Sequence, residues 1–320
     1  MPDMHRRGTA HRQIQSRRPE TFATIDAVTI GSAVATAGDG EPLAYRVAGA
    51  ATGAPMLTVH GLMSSVHQWM FFTPHYAARR PVVSWEYRGH GGQRAPHDLA
   101  AISVAQFADD AGAVWRATGL APAIVVGLSF GVQVALELWR RHPGAVRALV
   151  LICGTPGHPL DRVSSARALR GGATALLRGL GRRRGLATRM LGLLRTQGGL
   201  RLARELAFLS GGAHRDACPP EVLDGLFAHV AGLDPELAGN VMAAYLEHTA
   251  EDVLATITVP TLIIAADRDQ LTPLATAERM QRAIPGSRLV VFPGHSHLVQ
   301  VEKPAEVHAA IDRFLADHGL

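Results

Sequence analysis

The sequence predicts an α/β protein, a mostly parallel sheet flanked by helices with a helical cap inserted into it. Three observations carry that expectation. Short β-branched and leucine runs (PMLTVHGL, APAIVV, RALVLI, VPTLIIAA, SRLVVF) alternate with helical periods, the pattern of a parallel sheet buried between two helical layers. From Thr155 to about Thr256 the strand pattern stops, and arginine, leucine and alanine recur at helical spacing before the strands resume. A chain of 320 residues that is 47% hydrophobic is long enough for one large core carrying an insertion. The expected division is a disordered basic tail over residues 1–21, a core over 22–154 and 256–320, and a helical cap over 155–255.

Taken in order, AVTIGSAVATA alternates well enough for a first strand, and Asp39-Gly40 marks a turn into a second. The strand runs at 55–62 and 80–92 end in His-Gly and in a glycine-rich turn. ISVAQFADDAGAVWRAT has apolar residues at helical spacing and closes on Gly119 as a C-cap. APAIVV leads through GLSFG into the helix VQVALELWRRH, whose Arg140, Arg141 and His142 suit a helix C-terminus and which Pro143 stops. In the inserted block, Asp234 is the expected N-cap of a helix with Pro235 at its first position. The strand VPTLIIAADRD, the helix TPLATAERMQRAI, the strand SRLVVFPG and the helix PAEVHAAIDRFLADH complete the core.

Charge and cysteines exclude several classes. The net charge of +5 is concentrated in a tail holding Arg6, Arg7, Arg12, Arg17 and Arg18 and in a second stretch from Arg162 to Arg204. No nucleic-acid-binding module or aromatic interleaving accompanies these arginines, so nucleic acid is not an expected partner; a solvated face or weak contact with anionic membrane is. Cys153 and Cys218 are too few for a disulfide framework and read as buried thiols. Histidines such as His5, His142 and His229 show no ligand spacing, so neither a metal nor any other cofactor is expected. Residues 17–37 lack the leucine-rich segment of a signal peptide, and no run approaches the roughly 18 apolar residues of a membrane span, so the cytoplasm is the expected location.

Chemistry enters at Gly127-Leu128-Ser129-Phe130-Gly131, a G-x-S-x-G turn between a buried strand and a helix. So sharp a turn would make side chains two residues either side collide. Gly127 and Gly131 remove that collision and leave the Ser129 hydroxyl free at the helix N-terminus. A serine is a poor nucleophile without a base, and the base needs a carboxylate behind it. In a parallel sheet such partners belong on loops after later strands. TLIIAADRD offers Asp267 and Asp269 there, and SRLVVFPGHSH offers His295 and His297; spacing alone leaves both pairs open.

With LTVHGL, EYRGHGG, GLSFG, AADRDQLTP and HLVQVEKP in place, the chain resembles the α/β-hydrolase fold superfamily, of the capped serine esterase and lipase kind, from about residue 28 to the end. The resemblance implies choices that spacing did not make. Asp269 fits D-x-x-x-P through Pro273, which leaves Asp267 to fix the loop, and His297 fits H-x-x-x-x-E-x-P through Glu302 and Pro304. It implies a Ser129–His297–Asp269 triad, an oxyanion hole from the backbone N–H groups of Leu62 and Phe130, a supporting role for His60 and Gly61, and loop-organising roles for Glu86 and His90. The implied activity is hydrolysis of a carboxylic ester or thioester of a small-molecule acyl substrate. Perhydrolases, C–C hydrolases and acyltransferases share this triad, and a ligand receptor could keep it. Leu176, Leu180, Met190, Leu193, Phe208 and Met242 are expected to face inward, as substrate lining or as the core of the cap.

Overall fold

A computed structural model describes residues 29–49, 52–159 and 166–320. The basic tail expected over residues 1–21 lies outside them. Eight strands form one sheet in the order β1-β2-β4-β3-β5-β6-β7-β8. β1 (Thr29–Thr36) and β2 (Pro42–Ala48) are an antiparallel hairpin, closed by a turn in which Gly40 has φ 86°. β2 runs antiparallel to β4 (Val82–Trp85). From there every neighbouring pair is parallel: β3 (Met56–Val59), β5 (Ala123–Leu128), β6 (Val146–Ile152), β7 (Thr261–Ala266) and β8 (Arg288–Phe292).

The central strands read as near-continuous apolar runs because both faces are covered. Along β5, Val125 joins the core on one side of the sheet while Ile124, Val126 and Leu128 join the other; β6 and β7 alternate in the same way. α1 (Phe72–Ala77) packs on the second face through Phe72 and Tyr76. α2 (Val104–Thr118) and α3 (Phe130–Arg141) cover the first. Ser103 caps the start of α2, accepting from the N–H of Gln106, and α2 ends at the expected C-cap, Gly119, at φ 65°. Arg88, buried beside Asp110 of α2, ties the EYRGHGG turn to that helix.

Among the described residues, five helices stand between β6 and β7: α4 (Ala166–Arg182), α5 (Arg184–Leu193), α6 (Gln197–Leu209), α7 (Pro220–Gly232) and α8 (Pro235–Glu247). Asp234 caps α8 through hydrogen bonds from Glu236 N and Leu237 N, with Pro235 at its first position. α4 lies close against α8 because glycines remove the intervening bulk. A Cβ on Gly239 would stand 2.7 Å from the Leu177 carbonyl oxygen, and one on Gly181 would stand 2.9 Å from that of Pro235. The chain ends with α9 (Leu274–Ala283), the short α10 (Val299–Glu302) and α11 (Pro304–Asp317).

One expectation about the insertion is corrected. Leu176, Met190 and Leu193 face solvent, with 70%, 49% and 59% of their surface exposed, while Leu180, Phe208 and Met242 are half-buried. Helical spacing groups residues on one face; it does not say whether that face meets protein or water.

Candidate active site

The centre of the sheet sets the geometry. β3 and β5 are parallel neighbours with Val59 opposite Gly127, so their extensions beyond that pair emerge side by side at the C-terminal edge. Three residues past Val59 comes Leu62; three past Gly127 comes Phe130. Ser129, between β5 and α3, holds φ 55° and ψ −116°, a conformation that costs an L-residue on the order of 1–3 kcal/mol and recurs where function demands it. Its side chain makes no capping bond to α3 and is only half-buried. The glycines either side permit this turn. A Cβ on Gly127 would lie 2.6 Å from the Gly131 carbonyl oxygen, and one on Gly131 would run into the carbonyl oxygens of Val59 and His60.

The His60-Gly61-Leu62 turn is braced from below. His60 is fully buried; its Nδ1 accepts from Trp69 Nε1 at 2.9 Å, its Nε2 meets the Trp85 carbonyl, and its own carbonyl accepts from the Tyr87 hydroxyl at 2.8 Å. Burial pushes its pKa down to about 3, so this imidazole is neutral and committed to three structural contacts. The Gly61 N–H donates to Gln68 Oε1 at 2.8 Å, which leaves the next N–H, that of Leu62, at the tip of the turn. Phe130 is the first residue of α3, where a helix has no internal acceptor for its N–H groups.

Asp269 and His297 come from the loops after β7 and β8, at the same edge. His297 Nδ1 lies 2.7 Å from Asp269 Oδ2, and both side chains are almost entirely buried. Asp269 Oδ1 accepts the N–H groups of Leu271 and Thr272, and Oδ2 accepts the Thr272 hydroxyl at 2.6 Å. Burial pushes this carboxyl up, but the charge and hydrogen bond of His297 and the bonds from Thr272 outweigh it, so the net pKa is below the usual aspartate value. An ionised carboxylate only accepts, so the proton of the His297–Asp269 bond sits on Nδ1, which leaves the Nε2 lone pair available as a base.

The neighbouring members of each pair go elsewhere. Asp267 Oδ1 accepts the Gly294 N–H at 2.7 Å and so ties the loop after β7 to the loop after β8. His295 Nδ1 stands 3.2 Å from Glu302 Oε2, away from Asp269. Glu302 gathers the histidine loop, accepting also the Ser296 N–H, the Ser296 hydroxyl and the N–H of His214 from the insertion. The contacts of Thr272, Gly211 and Tyr245 were not foreseen. Besides bonding Asp269, the Thr272 hydroxyl is 3.3 Å from His297 Nδ1, and the Gly211 carbonyl accepts the backbone N–H of His297 at 2.9 Å. Tyr245 of α8 stands edge-on to Phe130, its hydroxyl held protonated by burial and by the charge of Asp269. A carboxylate followed two and three residues on by backbone donors is a local turn signal that could have pointed to Thr272; the other two contacts cross the fold and leave none.

Glu86 and His90 sit behind these loops. His90 is fully buried, stacked on His229 of α7, and burial pushes its pKa down to about 4. Glu86 Oε1 accepts the Val66 N–H at 3.2 Å, while Oε2 is buried with no hydrogen-bond partner among the described residues, 4.0 Å from His60 Nε2. Burial raises this carboxyl to about 7, against smaller opposing effects of the Val66 bond and the Arg46 charge. A raised folded-state pKa means stability that is fully present below the unfolded value near 4.5 and is lost as pH rises through about 7. Glu86→Gln should therefore match wild type near pH 4 and exceed it by about 2 kcal/mol at pH 8 in urea unfolding. Equal differences at both pH values would remove the buried carboxylate from this account.

Comparison with known proteins is consistent with this geometry. The chain is 30% identical over 278 residues to a non-heme haloperoxidase of Rhodococcus erythropolis, covering 82% of this chain and 91% of that protein. It is 28% identical over 267 residues to the pimeloyl-[acyl-carrier protein] methyl ester esterase of Neisseria meningitidis serogroup B, covering 82% and 92%. The fold is shared with a thermophilic esterase from Thermogutta terrifontis at a TM-score of 0.70, with 24% identity over 90% of this chain and 98% of that one. The model of the alpha/beta hydrolase family matches residues 56–310, and the chain belongs to that family of enzymes.

Proposed function

We propose that the protein hydrolyses a carboxylic ester or thioester of a small, apolar acyl substrate through Ser129, His297 and Asp269, by way of an acyl-enzyme. The observation that carries this reading is the 2.7 Å bond between His297 Nδ1 and Asp269 Oδ2, at the sheet edge where Ser129 stands on its strained turn. His297 Nε2 takes the Ser129 proton as the serine oxygen attacks the carbonyl carbon, and the carbonyl π electrons move onto oxygen. The N–H groups of Leu62 and Phe130 stabilise that oxyanion, and ionised Asp269 stabilises the imidazolium. The leaving alcohol or thiol departs with the proton from His297. Water then repeats the sequence on the acyl-enzyme, releasing acid and free Ser129.

The insertion acts as a cap over this edge, with Tyr245 and the Gly211 carbonyl among its points of contact. The partly buried Tyr245, Leu62 and Met63 supply apolar surface at this edge, which favours an acyl or aromatic group over a charged one. No metal, organic cofactor or nucleic acid enters the proposal. The cytoplasm is the proposed site of action, since both cysteines are buried free thiols.

A panel of p-nitrophenyl esters of graded acyl length tests the reading. Sustained turnover with a defined optimum length is expected; a stoichiometric burst that then stops would favour a ligand-binding protein instead. The haloperoxidase relative favours one second reading, in which hydrogen peroxide replaces water in deacylation and yields a peracid from the same acyl-enzyme. Adding peroxide to the panel and assaying peracid distinguishes the two.

A further inference from the structure

The outward-facing leucines of the insertion form an ordered pattern. On α5, Leu186, Met190 and Leu193 follow i, i+4, i+7 spacing, and on α6 Leu202, Leu206 and Leu209 repeat it. All six are exposed, from 49% for Leu186 and Met190 to 72% for Leu209. Each triplet is one helical stripe, and the two helices are consecutive and in contact. Apolar stripes of this kind are ordinarily buried. Leu186, Met190, Leu193 and Leu202 stand in a stretch with no Asp or Glu between Asp161 and Glu205. Arg178, Arg184 and Arg204 pair with acids on neighbouring helices, but exposed Arg182, Arg183, Arg189 and Arg201 form no ion pair among the described residues.

We infer that the α5–α6 face of the insertion docks on an anionic phospholipid surface, its leucines and Met190 entering the acyl boundary and its unpaired arginines meeting lipid phosphates. Charge complementarity selects this occupant. A second copy of the chain would set arginine against arginine, whereas guanidinium pairs bidentately with phosphate while its stem lies along apolar surface. The geometry is that of a helix lying in the interface plane; no helix among the described residues is long and apolar enough to cross a membrane. Docking would bring the proposed cap, and with it the entrance to the Ser129 edge, to the place where apolar esters accumulate.

The test is flotation of the full chain with phosphatidylcholine vesicles, with and without phosphatidylglycerol, at low and high salt. Wild type is expected to float with phosphatidylglycerol vesicles at low salt, less so at high salt, and not with phosphatidylcholine alone. The triple variant Leu186→Gln, Met190→Gln, Leu193→Gln should bind at least about tenfold more weakly, with melting temperature and hydrolysis of a short soluble ester unchanged. The variant Arg182→Gln, Arg189→Gln, Arg201→Gln should lose binding and salt dependence together. Unweakened binding by the leucine variant would overturn the inference, leaving only non-specific attraction to basic residues. So would absence of wild-type binding at low salt. Self-association abolished by the leucine variant would assign the face to a second copy. Binding to polyglutamate but not to vesicles, weakened by the same variant, would assign it to an acidic protein.

Discussion

Ser129→Ala should lower kcat/KM for a p-nitrophenyl ester by about 10⁴- to 10⁶-fold while leaving the fold intact. The size of the loss follows from what the hydroxyl is proposed to do. Without it no acyl-enzyme forms, and only water, aided by the backbone donors of Leu62 and Phe130, remains to attack the carbonyl. The fold should survive because Ser129 Oγ caps no helix, so its removal leaves no buried donor unsatisfied. Alanine even keeps the strained φ of 55°, so the variant isolates chemistry from backbone shape. Ester hydrolysis and thermal melting measured on the same preparation check the prediction, and retained turnover would place the nucleophile elsewhere.

The second large effect concerns the base. His297→Ala should cost about 10⁴-fold or more, since neither water nor Asp269 can replace an imidazole that takes a proton from one oxygen and returns it to another. The substitution also strands Asp269, whose depressed pKa depends chiefly on the His297 charge once burial is set against it. Loss of that partner raises the carboxyl toward its unfolded value. Stability that wild type holds above the unfolded aspartate pKa, and loses as pH falls through the lower folded one, should therefore diminish in the variant at neutral pH. His295 has a different post. It meets Glu302, which keeps three other hydrogen bonds from the Ser296 backbone, the Ser296 hydroxyl and His214. Its removal disturbs the loop that carries His297 without touching the proton path, an effect on the order of tenfold at most.

The sheet and much of the edge proposed to carry this chemistry were legible in the sequence because local rules coincide there. The run AIVV before GLSFG, Ser129 between two glycines, Asp234-Pro235 opening a helix and Gly119 closing one each announce a single backbone geometry. The resemblance, through the H-x-x-x-x-E-x-P pattern met at Glu302 and Pro304, favoured His297 over His295, and Glu302 is the residue on which that loop is gathered. What stayed hidden is non-local. α1 was missed because FTPHYA is short, holds a proline and buries aromatic rings rather than repeating an apolar period. α10 is a single turn with every side chain buried, so no polar face marks it. Gly211 and Tyr245 meet partners, His297 and Phe130, supplied by distant parts of the chain. The outward turn of Leu176, Met190 and Leu193 depends on where α4 and α5 come to rest, which their own periodicity does not encode.

The base proposed to serve Ser129 is the imidazole bound to Asp269. Steady-state kcat/KM for one p-nitrophenyl ester, measured side by side on His297→Ala and His295→Ala with both confirmed folded by melting, addresses this assignment most directly. The expected result is a loss of about 10⁴-fold for His297→Ala and no more than roughly tenfold for His295→Ala. The reverse order would contradict it and move the base to the histidine that follows Gly294.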